Sequence, residues 1–87
     1  MLYTIRFTPH AERVFQKLPK IVQDRILKSL ASLRRTPRPR MAKKLSGEEG
    51  YFRLRVGDYW VIYNVQDEEL LILVVKVGHR RDVYRRH

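Results

Sequence analysis

Around Gly57-Asp58 the chain alternates with one period on both sides, and this restricts the fold more than any other feature of the sequence. Phe52, Leu54 and Val56 recur at every second position before the dipeptide, and Tyr59, Val61 and Tyr63 do so after it. A period of two belongs to a strand with one buried face. Gly57 in the first central place suits a type II′ turn, so the two stretches predict a two-residue hairpin. That turn sets the register, with Val56 opposite Tyr59, Leu54 opposite Val61 and Phe52 opposite Tyr63 on the core side. Residues directly across a ladder share a face, so the outer side carries Arg55 opposite Trp60, Arg53 opposite Ile62 and Tyr51 opposite Asn64. Arginines and aromatics gather there.

The rest of the chain supplies what packs on the hairpin. Tyr3, Ile5 and Phe7 alternate with Thr4 and Arg6 as a first strand. Thr8 offers an N-cap oxygen and Pro9 suits the first helical position, after which Ala11, Val14, Phe15 and Leu18 repeat at helical spacing. Pro19 breaks that helix, and Val22, Ile26, Leu30 and Leu33, with Leu27 beside them, predict a longer second one lying antiparallel to the first. From Thr36 to Gly50 periodicity vanishes into a loop, with a short strand expected near Lys43 to Leu45. Leu70 to Val77 (LLILVVKV) is nearly unbroken apolar sequence, short for a helix and rich in branched residues, and predicts a central strand covered on both sides. The architecture is α+β: an N-terminal strand and a helical hairpin on one face of an antiparallel meander, within a single domain spanning residues 1–87.

Charge narrows the partner. A net charge of +10, with 19 Lys and Arg against 9 Asp and Glu, points to a polyanion. Arg34, Arg35, Arg38, Arg40, Lys43 and Lys44 form one basic run, and Arg80, Arg81, Arg85 and Arg86 crowd the end. The acids cluster apart, at Glu48 and Glu49 and at Asp67, Glu68 and Glu69, where turns are expected. With no cysteine there are no disulfides, thiolate metal sites or thiol nucleophiles, as befits a reducing cytoplasm. No apolar run approaches the ~20 residues of a membrane span, and the first residues lack a signal-peptide core.

The chemistry left to such a chain is that of phosphates and bases. His10, His79 and His87 lack metal-ligand spacing, no Gly-rich phosphate loop is present, and Ser29, Ser32 and Ser46 have no positioned base. A basic surface carrying Arg53, Arg55, Arg80, Arg81, Tyr51, Trp60 and Tyr84 suits single-stranded RNA, since guanidinium forks grip phosphates and aromatic faces stack bases. His79, Lys43, Lys44 and Arg85 extend the expected RNA contacts. RNA brings its own nucleophile, the 2′-hydroxyl, so cleavage needs in-line positioning, two proton transfers and charge stabilisation, without metal or cofactor. Proton transfer is the weak point: Arg is a poor base, His79 has a suitable intrinsic pKa, and Tyr84 can serve only if its own pKa falls. Trp60 reads equally as a cation–π partner of Arg55 and as a base-stacking platform. His79 reads as hinge, phosphate contact or base, and Tyr84 as tail packing or catalytic group.

The segments YFRLRVGDYWVIY and VVKVGHRRDVYRR, with the opening YTIRFTPHAERVFQKLP, resemble the RelE branch of the RelE/ParE superfamily of type II toxins. The resemblance spans essentially the whole chain. It implies a RelE-like fold ending in a short C-terminal helix or tail, and a ribosome-dependent mRNA endonuclease that works in the ribosomal A site. It also implies silencing by an acidic RelB-like antitoxin. By this likeness Arg53 and Arg55 match paired basic residues of the third strand, Arg80 the residue that contacts the scissile phosphate, and Tyr84 the tyrosine that orients the nucleotide. Trp60 departs from the pattern, standing where RelE proteins usually carry arginine. Two other functions share this fold or surface: a ParE-like DNA gyrase inhibitor, and an RNA-binding module whose cleavage is weak or lost.

Overall fold

The computed structural model describes residues 2–47 and 49–81. Strand β1 (Thr4–Phe7) leads into helix α1 (Pro9–Gln16), where the Thr8 hydroxyl accepts a hydrogen bond from the Ala11 amide at 3.2 Å and Pro9 starts the first turn. Helix α2 (Lys20–Leu33) begins directly after Pro19. Its Gln23 amide donates to the carbonyls of Phe15, Gln16 and Leu18, tying the start of α2 to the end of α1 and the turn that follows it. Ile26, Leu30 and Leu33 of α2 are buried, whereas Leu27 is exposed, so the packed stripe is narrower than the spacing predicted. No helix among the described residues is long and apolar enough to cross a membrane.

Strands β2 (Lys43–Lys44), β3 (Tyr51–Val56), β4 (Tyr59–Gln66) and β5 (Leu71–His79) complete a five-stranded sheet in the order β1-β5-β4-β3-β2. The β3–β4 hairpin has the predicted register from Val56 opposite Tyr59 to Tyr51 opposite Asn64. Gly57 adopts φ +61° and Asp58 stays outside the positive-φ region, as a type II′ turn requires. The meander of β3, β4 and β5 is antiparallel, but β1 lies parallel to β5, making the sheet mixed. Leu70 closes the preceding turn in the left-handed region (φ 51°), and its carbonyl accepts from the Thr4 amide at 2.7 Å.

One face of the sheet meets both helices. Phe52 and Leu54 of β3, Val61, Tyr63 and Val65 of β4, and Ile72, Val74 and Val77 of β5 join Ala11, Ile26, Leu30 and Leu33 in one core. Strand β5 lies inside the sheet between β1 and β4, as expected, but the expected cover on both faces is corrected, because no described helix covers its second face. The apolar run arises from a bulge. Ile62 stands opposite Lys76 while Tyr63 stands opposite Val74, which leaves Val75 as an extra residue and shifts the alternation. Val74 and Val77 both face the helices as a result, and Lys76 turns away from them.

The loop after α2 is pinned at the far end of the sheet. Asp67 accepts from the Tyr3 hydroxyl at 2.6 Å and pairs with Arg38 at 2.7 Å, and the Arg38 guanidinium lies 5.8 Å from the Phe52 ring centroid. Arg34 and Tyr3 are joined through backbone and side chain. Hydrogen bonds from Arg38 and then Tyr3 hold the Asp67 carboxylate below its usual range. A depressed carboxylate adds stability above its unfolded pKa of ~3.9, and the contribution disappears as pH falls through the folded value. Asp67→Asn should therefore lose stability near neutral pH but show a flatter acid limb than the parent. Urea midpoints measured from neutral pH down to about pH 2 check this, and parallel limbs for the two proteins would refute it.

Candidate functional site

The face turned away from the helices is built by the register. Lys43 stands opposite Arg53, Arg53 opposite Ile62, and Ile62 opposite Lys76, so one row crosses four strands. On one side of it, Arg55 stands opposite Trp60 and Trp60 opposite Gly78. On the other, Tyr51, Asn64, Leu73 and Arg6 form a row reaching β1. These rows hold cations and neutral residues, with no carboxylate among their described positions. Among the described residues no carboxylate pairs with Arg53 or Arg55 either. Unneutralised guanidinium groups beside one another attract a polyanion.

The two arginines of β3 differ in environment. Arg55 is exposed, and its Nε donates to the Gly57 carbonyl at 2.8 Å, drawing the side chain along the hairpin turn. Arg53 is half-buried and lies diagonally over Trp60, its guanidinium carbon 4.5 Å from the ring centroid. Thus the cation–π partner of Trp60 is Arg53, not Arg55, and the guanidinium occupies one face of the indole. The Arg53 Nε and the indole Nε1 are both buried without a hydrogen-bond partner among the described residues.

Arg80 joins this end of the sheet through its backbone. Its amide donates to the Asp58 carbonyl at 2.8 Å, beside the Gly57 carbonyl that Arg55 engages, so both residues are tethered to one turn. Arg80 and Arg81 are exposed. Tyr84 and Arg85 lie outside the described residues.

His79 and Lys44 are not brought to this face. His79 stands opposite Tyr59 on the helix side, where the two rings meet edge to face at 5.1 Å, and its Nδ1 accepts from the Arg81 amide at 3.2 Å. That bond fixes the imidazole at the root of the C-terminal segment. Lys44 stands opposite Phe52, also on the helix side, and borders a cleft of about 500 Å3 shared with Arg38, Glu49, Gly50, Phe52, Val65 and Asp67. Of the basic run, Arg34 and Arg38 serve internal contacts and only Lys43 has register on the open face.

Lys76 and Arg6 are cations of the open face that sequence reasoning passed over. Lys76 carried a signal. Strict alternation from Ile72 and Val74 would drive its ammonium into the core, so a bulge was needed to turn it out. Among the described residues no group of three His, Cys, Asp or Glu side chains could hold a metal ion. The open face is thus suited to binding and stabilising phosphate charge, and its described residues supply no histidine or carboxylate for proton transfer.

Comparison with known proteins places this geometry. Residues 5–84 match the family described as ParE toxin of type II toxin–antitoxin system, parDE. The Toxin RelG of Mycobacterium tuberculosis is 38% identical over 88 residues, covering 99% of this chain and 100% of that protein. The chain belongs to the RelE/ParE toxin superfamily, on its RelE side. The mRNA interferase toxin RelE of Escherichia coli K12 is 32% identical over 82 residues, covering 92% of this chain and 85% of that toxin. In three dimensions the archaeal RelE–RelB complex from Pyrococcus horikoshii gives a TM-score of 0.81 at 32% identity, over 92% of this chain and 97% of the matched one. The RelE-type α+β fold expected from the sequence is therefore shown, and the chain is a type II toxin of the RelE family.

Proposed function

We propose that this toxin is a ribosome-dependent mRNA endonuclease that cuts the message in the A site through the RNA 2′-hydroxyl. The observation that carries the proposal is the open face itself, where Arg53, Arg55, Lys43 and Lys76 stand without a carboxylate among their described neighbours. Loss of the 2′-hydroxyl proton lets that oxygen attack the adjacent phosphorus in line. The 5′-oxygen departs with a proton, leaving a 2′,3′-cyclic phosphate. Arg53, Arg55 and Arg80 stabilise the charge that builds on the phosphorane, and Tyr84 orients the nucleotide. Tyr51, Lys43, Arg81 and Arg85 hold the flanking RNA. His79 and Lys44, on the helix side, stand outside this set. Arginine keeps its proton at neutral pH, so the cleavage relies on positioning and charge stabilisation more than on a strong general base.

The names of relatives support the same function, since the Escherichia coli protein is called an mRNA interferase. The partner that silences the toxin is an acidic RelB-like antitoxin, a proposal supported by the RelE–RelB assembly of the Pyrococcus neighbour. Because charge drives both contacts, binding to antitoxin and to RNA weakens with salt. Ribosomes and messages place the activity in the cytoplasm.

A second function has one specific observation in its favour, the match to a family described as ParE toxin. One experiment separates the two. Purified toxin is added to a defined translation system, where 5′ ends are mapped on the message, and to gyrase in a supercoiling assay. The endonuclease yields cuts only in codons held by ribosomes and leaves supercoiling intact. Inhibited supercoiling with an uncut message would reverse the assignment.

A further inference from the structure

Arg53 is held by a ring and by nothing else among the described residues. Its guanidinium sits 4.5 Å from the centroid of Trp60, its Nε is buried without a partner, and no described carboxylate pairs with it. Trp60 is confined in turn, with Gly78 across from it on β5 and Arg55 on β3, and its indole N–H is also buried and without a partner among the described residues. A planar cation on an aromatic face keeps its orientation without giving up donors at its outer edge. We infer that Trp60 is a positioning residue, a plate that holds the Arg53 guanidinium flat so that its outer nitrogens meet an RNA phosphodiester. The inference rests on the endonuclease proposal and deepens it: tryptophan at this position acts on the substrate through Arg53, not by stacking a base.

The lone indole N–H suggests a clean variant. Trp60→Phe keeps an aromatic face and removes a donor that has no partner among the described residues, so the change breaks no hydrogen bond among them. Trp60→Leu keeps apolar bulk and removes the plate. Trp60 is the single tryptophan of the chain, so its emission reports the stack directly.

The test uses the full toxin and a fully 2′-O-methylated oligoribonucleotide, which binds without being cut. Far-UV circular dichroism confirms the fold of each variant. Arg53→Ala should shift the emission of Trp60 and weaken oligonucleotide binding by about tenfold or more. Trp60→Phe should bind within about threefold of the parent, whereas Trp60→Leu should lose about tenfold. Adding Trp60→Leu to Arg53→Ala should cost nothing further, because the plate has no work without the guanidinium. Additive losses in the double variant, unchanged binding by Trp60→Leu, or an emission indifferent to Arg53→Ala would each overturn the inference while leaving the endonuclease proposal standing. Unchanged binding by Arg53→Ala would sink the site assignment itself, and this inference with it.

Discussion

Arg80→Ala should lower the rate of message cleavage on programmed ribosomes by about 100- to 1000-fold, the usual loss when one preorganised donor to a developing negative charge is removed. Structural damage should not contribute much. The side chain is exposed, and the structural tie of the residue is its backbone amide bonded to the Asp58 carbonyl, which alanine retains. The loss should fall on kcat and kcat/KM together, as expected for a contact made chiefly in the transition state. Arg80→Lys should recover only part of the rate, because an ammonium cannot offer the paired donors of a guanidinium. Arg55→Ala is the instructive control. Its Nε is engaged by the Gly57 carbonyl, so removal also loosens the hairpin turn and should appear in the melting temperature, where Arg80→Ala should not. Single-turnover cleavage of a defined codon, with thermal unfolding alongside, decides the matter. If Arg80→Ala cuts within about threefold of the parent rate, Arg80 does not stabilise the reacting phosphate.

The hairpin was legible because two alternating stretches share a turn of known length. That one constraint places Arg53, Arg55, Tyr51 and Trp60 on a common face before any coordinates exist. What periodicity could not show is which neighbour a long side chain chooses. Arg55 stands directly across from Trp60, yet the nearby Gly57 carbonyl captures its Nε, and the diagonal Arg53 takes the ring. Register limits such choices to direct and diagonal partners, and local hydrogen bonds make them.

The parallel pairing of β1 with β5 was also hidden, since it joins strands far apart in sequence and leaves no local pattern. The phase of β5 misled for a related reason. A nearly continuous apolar run is the signature of a strand buried on both sides, but one extra residue at Val75 produces the same run in a strand whose described helices cover one face. His79 follows from that shift. Its pairing with Tyr59 sends the imidazole to the helix side, away from the arginines it was expected to assist. The basic run from Arg34 to Lys44 shows the limit of charge counting. Arg38 is bound to Asp67 and Arg34 to Tyr3, so part of the apparent footprint holds the loop in place.

The core and the proposed RNA contacts therefore lie on opposite faces of one sheet, and the helix side sets the condition under which the open face exists. Tyr63 is the residue on which this depends most. It is fully buried (0% exposed), stacks on Phe52 at 5.8 Å, and donates its hydroxyl proton to the Pro37 carbonyl at 2.8 Å, joining the middle strand to the loop. Tyr63→Ala should destabilise the toxin by about 3–5 kcal/mol, as other large aromatic truncations do. An 87-residue domain has a total stability of roughly 4–13 kcal/mol, so this variant should be partly unfolded at physiological temperature. Tyr63→Phe keeps the ring and should lose only about 1–2 kcal/mol, for the unmet carbonyl. Burial pushes the Tyr63 hydroxyl up to about 12 from an ordinary value of 10.0. A raised folded pKa gives stability that is fully present below the unfolded value and lost as pH rises through the folded one. The advantage of the parent over Tyr63→Phe should accordingly be constant up to about pH 10 and shrink between about 10 and 12. Ionisable groups shared by the two proteins cancel in the difference. Denaturant unfolding across that range measures it, and a gap that stays constant through pH 12 would mean that the hydroxyl is not buried in the folded toxin.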